Sequence, residues 1–403
     1  MSITAPISRE CPAGNLPAPP VRPAVPPRFV VRFLLGCHRW LQRLAHAVIP
    51  PQFVVVEHAA GLATTQLLAI AARLRIADLL ASGPRTAQEL AQETQAHPEA
   101  MHRMLRALVS LNVFALDTTT GRFRNNRLSS ALRTDITGSA RAIAEYFGTS
   151  ANMLAWADAE ETIRTGRNAF ERVHGMTVWD WFACHPEEER LFADGMQELT
   201  AADAPAVAAA YPFGEVQRIC DVGGGRGTLL AYVLAVHPHL RGVLFEAPGI
   251  VEMAREFLHA WGLADRVDIR SGNFFASVPD GCDAYLLKDV LHDWDDAHAL
   301  QILRTIRQTM QPGQRVLICE TLVEPMETAL PGPLIDVCMM MVCREGRQRS
   351  RTEVTTLLEQ AGLTCIRVLP TALPISIVEG RLAGKALRQH NAAPASNPDH
   401  GRI

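Results

Sequence analysis

Lysine is almost missing from this chain of 403 residues: Lys288 and Lys385 are the only two, and the other 37 of its 39 basic residues are arginine. That skew reads as residue-usage bias and carries no functional weight. Cysteine is also sparse, with nine residues and no Cys-x-x-Cys spacing. A disulfide frame or a zinc site is thereby excluded as the organising device, and no metal site is expected. Cys220, Cys319 and Cys338 lie in apolar runs and read as reduced core residues. No apolar run reaches the roughly 20 residues of a membrane span. No basic segment leads into an apolar core and cleavage site at the N-terminus. A net charge of −3 with 20% charged residues favours neither nucleic acid nor an anionic membrane as partner. What remains is the expectation of a soluble cytoplasmic protein, long enough for two domains with separate cores.

Against these absences stands one glycine-rich stretch, RICDVGGGRGTLL at Arg218–Leu230. Ile219, Cys220 and Val222 make a short β run ending in Asp221-Val222. Gly223, Gly224, Gly225 and Gly227 follow, and Leu229 to Leu234 open a helix. Strand, glycine turn and helix make the nucleotide-binding corner of a doubly wound sheet. The pattern is acid-x-Gly-x-Gly-x-Gly, not the dinucleotide fingerprint Gly-x-Gly-x-x-Gly. It suits a nucleoside without a pyrophosphate, such as S-adenosylmethionine (SAM).

The remaining elements fall into place around this corner. Residues 1–28 are rich in Pro and Ala and read as a disordered tail. Phe29–Ile49 reads as an amphipathic helix closed by Pro50-Pro51. Packing against the body or a partner subunit is favoured for it over a membrane surface. Gln52–Leu80 reads as a long helical region, broken by Gly83-Pro84. Thr86 and Glu89 form a capping box, and a helix over His97–Leu111 follows. Val113–Leu116 and Arg122–Arg124, joined by a turn at Asp117–Gly121, make a hairpin. The sum over residues 29–138 is a winged-helix arrangement. Its second helix offers only Arg103 and Arg106 to phosphates, which favours protein over DNA as partner. Residues 139–210 read as mostly helical and carry Tyr146, Phe147, Trp156, Phe170, Trp179, Trp181 and Phe192, either as core or as the wall of an aromatic pocket.

From Arg218 strands and helices alternate. Strands are expected at Arg218–Val222, Gly242–Glu246, Val267–Gly272, Ala284–Lys288, Arg315–Glu320 and Cys365–Leu369. Helices are expected at Ile250–Trp261, Ala297–Met310 and Arg351–Ala361. Six or seven such strands make a doubly wound parallel sheet, so the fold class is α/β. The second domain spans 139–384, and 385–403 read as a loose tail.

Chemistry-bearing residues gather at expected strand ends. Glu246 ends the second strand and suits ribose hydroxyls in SAM or in NAD. Asn273 and Phe274 follow the third and suit the edge and face of adenine; core packing explains Phe274 equally well. In DAYLLKDVLHDWDD at Asp283–Asp296, His292 and Asp293 lie just past the carboxyl end of a strand. A histidine there, among carboxylates, is a candidate general base. Glu320 ends the next strand, placed to orient it.

Together, LLAIAARLRIADLLASGPRTAQELA, MHRMLRALVSLNVFA, DVGGGRGTLL, LKDVLHDWDD and the AGL at Ala361–Leu363 resemble the plant-type, metal-independent O-methyltransferases of small molecules. The resemblance runs from about Val56 to Leu369. It implies an N-terminal winged-helix dimerisation domain, a homodimer and a Rossmann-like SAM-binding domain, with S-adenosylhomocysteine (SAH) as product. By position it implies that Asp221, Gly223 and Gly225 hold the methionine end of SAM. Glu246 takes the ribose, Asn273 and Phe274 take adenine, and Lys288, Met196 and Thr200 lie near the cofactor. It further implies His292 as base, flanked by Glu320 and by Gln348 where the family carries an acid. The expected reaction is in-line methyl transfer to a phenolic hydroxyl of a small aromatic or polyketide-like molecule. The rival readings are non-methylating SAM chemistry, kept open by Gln348, a nicotinamide dehydrogenase and a DNA-binding regulator.

Overall fold

The computed structural model describes residues 26–324 and 332–382. Of the two expected tails, 385–403 and all of 1–28 except its last three residues lie outside that range. The N-terminal unit begins with a helix at Arg28–Ala47. The region expected as one long helix is divided into Pro51–Ala59, Gly61–Arg73 and Ile76–Leu79. The last break falls at Arg75, whose φ of +51° leaves the right-handed helical region. Three short strands follow: β1 (Arg85–Thr86), β2 (Phe114–Asp117) and β3 (Arg122–Asn125), in the order β1-β3-β2. The capping box is formed as expected, with Thr86 accepting from the Glu89 N–H and Glu89 accepting from the Thr86 N–H. Leu90, Leu105, Leu108, Phe114 and Phe123 make a separate core there.

Helices then run from Arg141 to Ala210, the last being Pro186–Ala210. Behind them lies the main sheet. Its strands are β4 (Arg218–Val222), β5 (Arg241–Glu246), β6 (Val267–Ser271), β7 (Ala284–Lys288), β8 (Arg315–Glu320), β9 (Leu363–Pro370) and β10 (Ser376–Leu382). Their order is β6-β5-β4-β7-β8-β10-β9. The first five are parallel, but β10 pairs antiparallel with both β8 and β9. The sheet is thus mixed, not wholly parallel as expected. The polar sequence of β10 hid it: Glu379 is fully buried there, held by Arg367 and Arg381.

Both faces of the sheet are covered, and the pleat sorts its residues. On β7, Ala284 and Leu286 face one core, whereas Tyr285 and Leu287 face the other. Burial on both sides explains why these strands read as unbroken apolar runs. The parallel order also places the last residues of β4, β5, β7 and β8 on one edge, with Asp221, Glu246, Lys288 and Glu320 among them. That edge is where doubly wound sheets bind ligands.

Of the two packings favoured for the first helix, the one on the body of its own chain is not formed along its aromatic side. Phe29, Phe33 and Trp40 remain largely exposed and do not seat on the body of their own chain. Among the described residues, no single helix is long and apolar enough to cross a membrane.

Candidate active site

The glycine turn is shaped by backbone that side chains rarely allow. Gly223 and Gly225 have φ of +68° and +57°. A Cβ on Gly223 would stand 3.1 Å from Val290 and 3.6 Å from the ring of Phe274. Phe274 therefore borders the turn, and it also packs against the core beside it. Gly224 closes over Asp221, whose carboxylate a Cβ would meet at 2.5 Å.

Asp221 is 1% exposed, and neither of its carboxylate oxygens has a hydrogen-bond partner. Burial, reinforced by the charge of Glu246, pushes its pKa up to about 7. Glu246 accepts from the Gly225 N–H at 2.8 Å and from the Ala247 N–H at 2.7 Å. It thus ties the end of β5 to the turn. Asn273 accepts from the Phe275 N–H at 2.9 Å, which fixes the loop that presents Phe274. Lys288 is buried, paired with Asp289 and 3.6 Å from Asp203 on the Pro186–Ala210 helix. Met196 and Thr200 lie on the same helix, both half-buried. Met196 packs in the aromatic cluster with Tyr146, Phe170, Phe182 and Met341. The Met339–Met341 run belongs to that cluster as well.

His292 sits on a single 3-10 turn, Leu291–Asp293, directly after β7. Gln348 reaches its ring, with the amide Nε2 2.6 Å from Nδ1. Glu320, expected to orient His292, meets its backbone. Its Oε1 accepts from the His292 backbone N–H at 3.2 Å, so it orients the turn through the main chain. The acid nearest the ring is Asp293, with Oδ1 3.5 Å from Nε2. Burial disfavours the imidazolium, but the charges of Asp293, Asp289 and Glu320 outweigh it and raise the His292 pKa. Asp293 is itself pushed up to about 6 by burial.

Reasoning from sequence missed Arg349. Its side chain is fully buried and donates to the carbonyls of Leu291 at 2.5 Å and Trp294 at 2.7 Å, and to Asp296 at 2.9 Å. The Arg347 N–H donates to the His292 carbonyl at 2.8 Å. Residues 347–349 thus grip the histidine turn from both sides. Truncation in Arg349→Ala removes the donor of the Trp294 carbonyl and leaves the Leu291 carbonyl only the Trp294 N–H at 3.3 Å, at about 1–3 kcal/mol for a buried group left unpaired. We expect denaturant melts of this variant to show a loss of about 2–4 kcal/mol.

The edge is rich in acid: buried Asp221 and Glu320, with the partly exposed Asp289, Asp293 and Asp203, lie around two basic groups, Lys288 and His292. Such a site suits a cationic ligand. SAM brings a sulfonium and an ammonium to it. Unpartnered Asp221, the glycine turn and Phe274 all fit that molecule. The fold and site thus define a class: an enzyme that binds a nucleoside cofactor beside an imidazole and under an aromatic-rich helical layer.

Comparison with known proteins narrows this class. Residues 156–364 match the model of the O-methyltransferase domain, and residues 56–135 that of the O-methyltransferase dimerisation domain. Mitomycin biosynthesis 6-O-methyltransferase of Streptomyces lavendulae is 39% identical over 315 residues, covering 78% of this chain and 90% of that protein. A phenazine O-methyltransferase of Lysobacter antibioticus is 36% identical, covering 83% and 97%. Human N-acetylserotonin methyltransferase, crystallised with SAM, superposes with a TM-score of 0.77 at 26% identity, covering 83% and 99%. An O-methyltransferase from neocarzinostatin biosynthesis, crystallised with SAM and 2-hydroxy-5-methyl naphthoic acid, gives 0.69 at 32% identity, covering 80% and 96%. The chain belongs to the plant-type, acetylserotonin-methyltransferase-like O-methyltransferases, and its cofactor is SAM.

Proposed function

We propose that this enzyme methylates a phenolic hydroxyl of a small aromatic metabolite, with His292 as general base, and that it works as a homodimer built on residues 56–135. The observation that carries the reading is the placement of a gripped, acid-flanked imidazole on the same sheet edge as the unpartnered Asp221 carboxylate. The aromatic cluster around Tyr146, Phe182 and Trp179 supplies apolar walls beside His292, as a flat ring requires. The relative crystallised with a hydroxynaphthoic acid supports this substrate class.

In this reading Asp221 and the turn at Gly223–Gly225 hold the amino-acid end of SAM, Glu246 the ribose, and Asn273 with Phe274 the adenine. When bound, the cofactor supplies an activated methyl and its own neutral leaving group. The chain supplies position, worth about 7–11 kcal/mol where reacting groups are well oriented, and a proton acceptor. His292 Nε2 takes the hydroxyl proton. For that, Nδ1 must carry the other hydrogen. The Gln348 carbonyl oxygen, now buried without a partner, accepts from Nδ1–H once its amide turns over. The same residue can therefore serve either tautomer, which a carboxylate cannot do.

Because Gln348 brings no charge, the imidazolium rests on Asp293, Asp289 and Glu320. Gln348→Glu adds a negative charge at Nδ1 and should raise the His292 pKa further. The acid limb of the kcat/KM profile should then move to higher pH, with a higher plateau above it. An unmoved limb would separate Gln348 from the titrating group. The proposal as a whole is tested by incubating the enzyme with SAM and hydroxynaphthoic acids. A mass gain of one methyl on oxygen is expected. Consumption of SAM with a product that lacks it would point to other chemistry.

A further inference from the structure

Helix Arg28–Ala47 leaves a long apolar face uncovered. Phe29, Phe33 and Trp40 are 75%, 68% and 63% exposed, and Leu34, Leu41 and Leu44 are exposed beside them. At about 100° per residue, Phe29, Phe33, Trp40 and Leu44 share one side of the helix. Arg28, Arg39 and Arg43 share another, next to the three aromatic rings. The apolar run continues past the helix through Ile49 and Phe53. The helix is tied to the body at its start, where Arg28 Nε donates to the Thr371 carbonyl at 3.0 Å.

Charge here is one-sided. Residues 11–56 hold five arginines and no Asp or Glu, in a chain whose net charge is −3. The match to the dimerisation domain begins at residue 56, beyond this helix. A helix with arginines on one face and Phe, Trp and Leu on the other lies in the boundary between lipid headgroups and acyl chains. We propose that Arg28–Ala47 docks the enzyme on an anionic phospholipid surface. Its aromatic side is buried at the headgroup boundary, and Arg39 and Arg43 lie against the phosphates. A second copy would bring the same arginines and no acidic residue from this segment, so charge complementarity favours lipid. This departs from the expectation that no membrane takes part, because the body leaves the apolar face open.

The test is sedimentation of the full-length protein with phosphatidylcholine vesicles, with and without phosphatidylglycerol. Pelleting with the phosphatidylglycerol vesicles at low salt, and release by high salt, are expected. Each basic residue near such a surface strengthens binding by about fivefold, so Arg39→Glu with Arg43→Glu should weaken it by at least about 25-fold. Phe33→Asp with Trp40→Asp should abolish it. Both double variants should keep the wild-type mass in light scattering and wild-type methyl transfer. Failure of the wild type to pellet at low salt overturns the proposal, as does equal pelleting with phosphatidylcholine alone. Dissociation of either variant into smaller species also overturns it, by assigning the face to a second copy.

Discussion

His292→Ala should lower kcat by about 10²–10⁴-fold, the range that a positioned general base supplies, while SAM binding stays intact. The split follows from the geometry. His292 stands on its own turn beyond β7, and its bonding partners Gln348, Glu320, Asp293 and Arg347 all lie outside the glycine turn. The loss therefore falls on proton removal and not on the cofactor. A pH profile sharpens the test. The wild-type imidazole is raised above its ordinary value of 6.5, so it loses its capacity as base when pH falls through that higher value. The acid limb of kcat/KM should lie above 6.5 in the wild type and vanish in the variant. Turnover near that of the wild type would remove His292 from the mechanism.

Asp221→Asn should separate function from stability in opposite directions. The carboxylate is buried with both oxygens unpartnered, which is costly without a ligand. Losing one partner of a desolvated charge pair costs about 2–5 kcal/mol of affinity, so SAM should bind at least about thirtyfold more weakly to the variant. The ligand-free protein should melt higher. The sign follows from linkage. A folded pKa of about 7 against an ordinary value of 3.8 means that the folded state holds the proton more tightly. Wild-type stability is then lost as pH rises from the lower value toward the upper, and stays lost above it. The gain in Tm from Asp221→Asn should accordingly be larger at pH 8 than at pH 5. A variant that melts lower at both pH values while still binding SAM would contradict the role of Asp221.

Much of this was readable from the chain because it depends on local chemistry. Glycine at a turn that needs positive φ, apolar runs buried on both faces and acids at strand ends are all encoded within a few neighbouring residues. The capping box at Thr86 and Glu89 is another case. What escaped depends on contacts between distant segments. Arg349 reads as a surface charge in GRQRS, yet it lies fully buried under a turn more than fifty residues earlier in the chain. Glu320 was placed beside His292 correctly, but strand ends alone do not distinguish a ring contact from a main-chain contact. β10 was hidden because Glu379, a residue usually on the surface, is buried there by two arginines. The division of Gln52–Leu80 at Arg75 has no glycine or proline to announce it.

The reading depends above all on a cationic adenosyl ligand seated at the turn that follows β4. Calorimetric titration of the purified full-length enzyme with SAM and with SAH tests this most directly. Saturable heat from a single site per chain is predicted for both ligands, and for SAM it should be greatly weakened in Asp221→Asn. No detectable uptake of either ligand by the wild type would contradict the account.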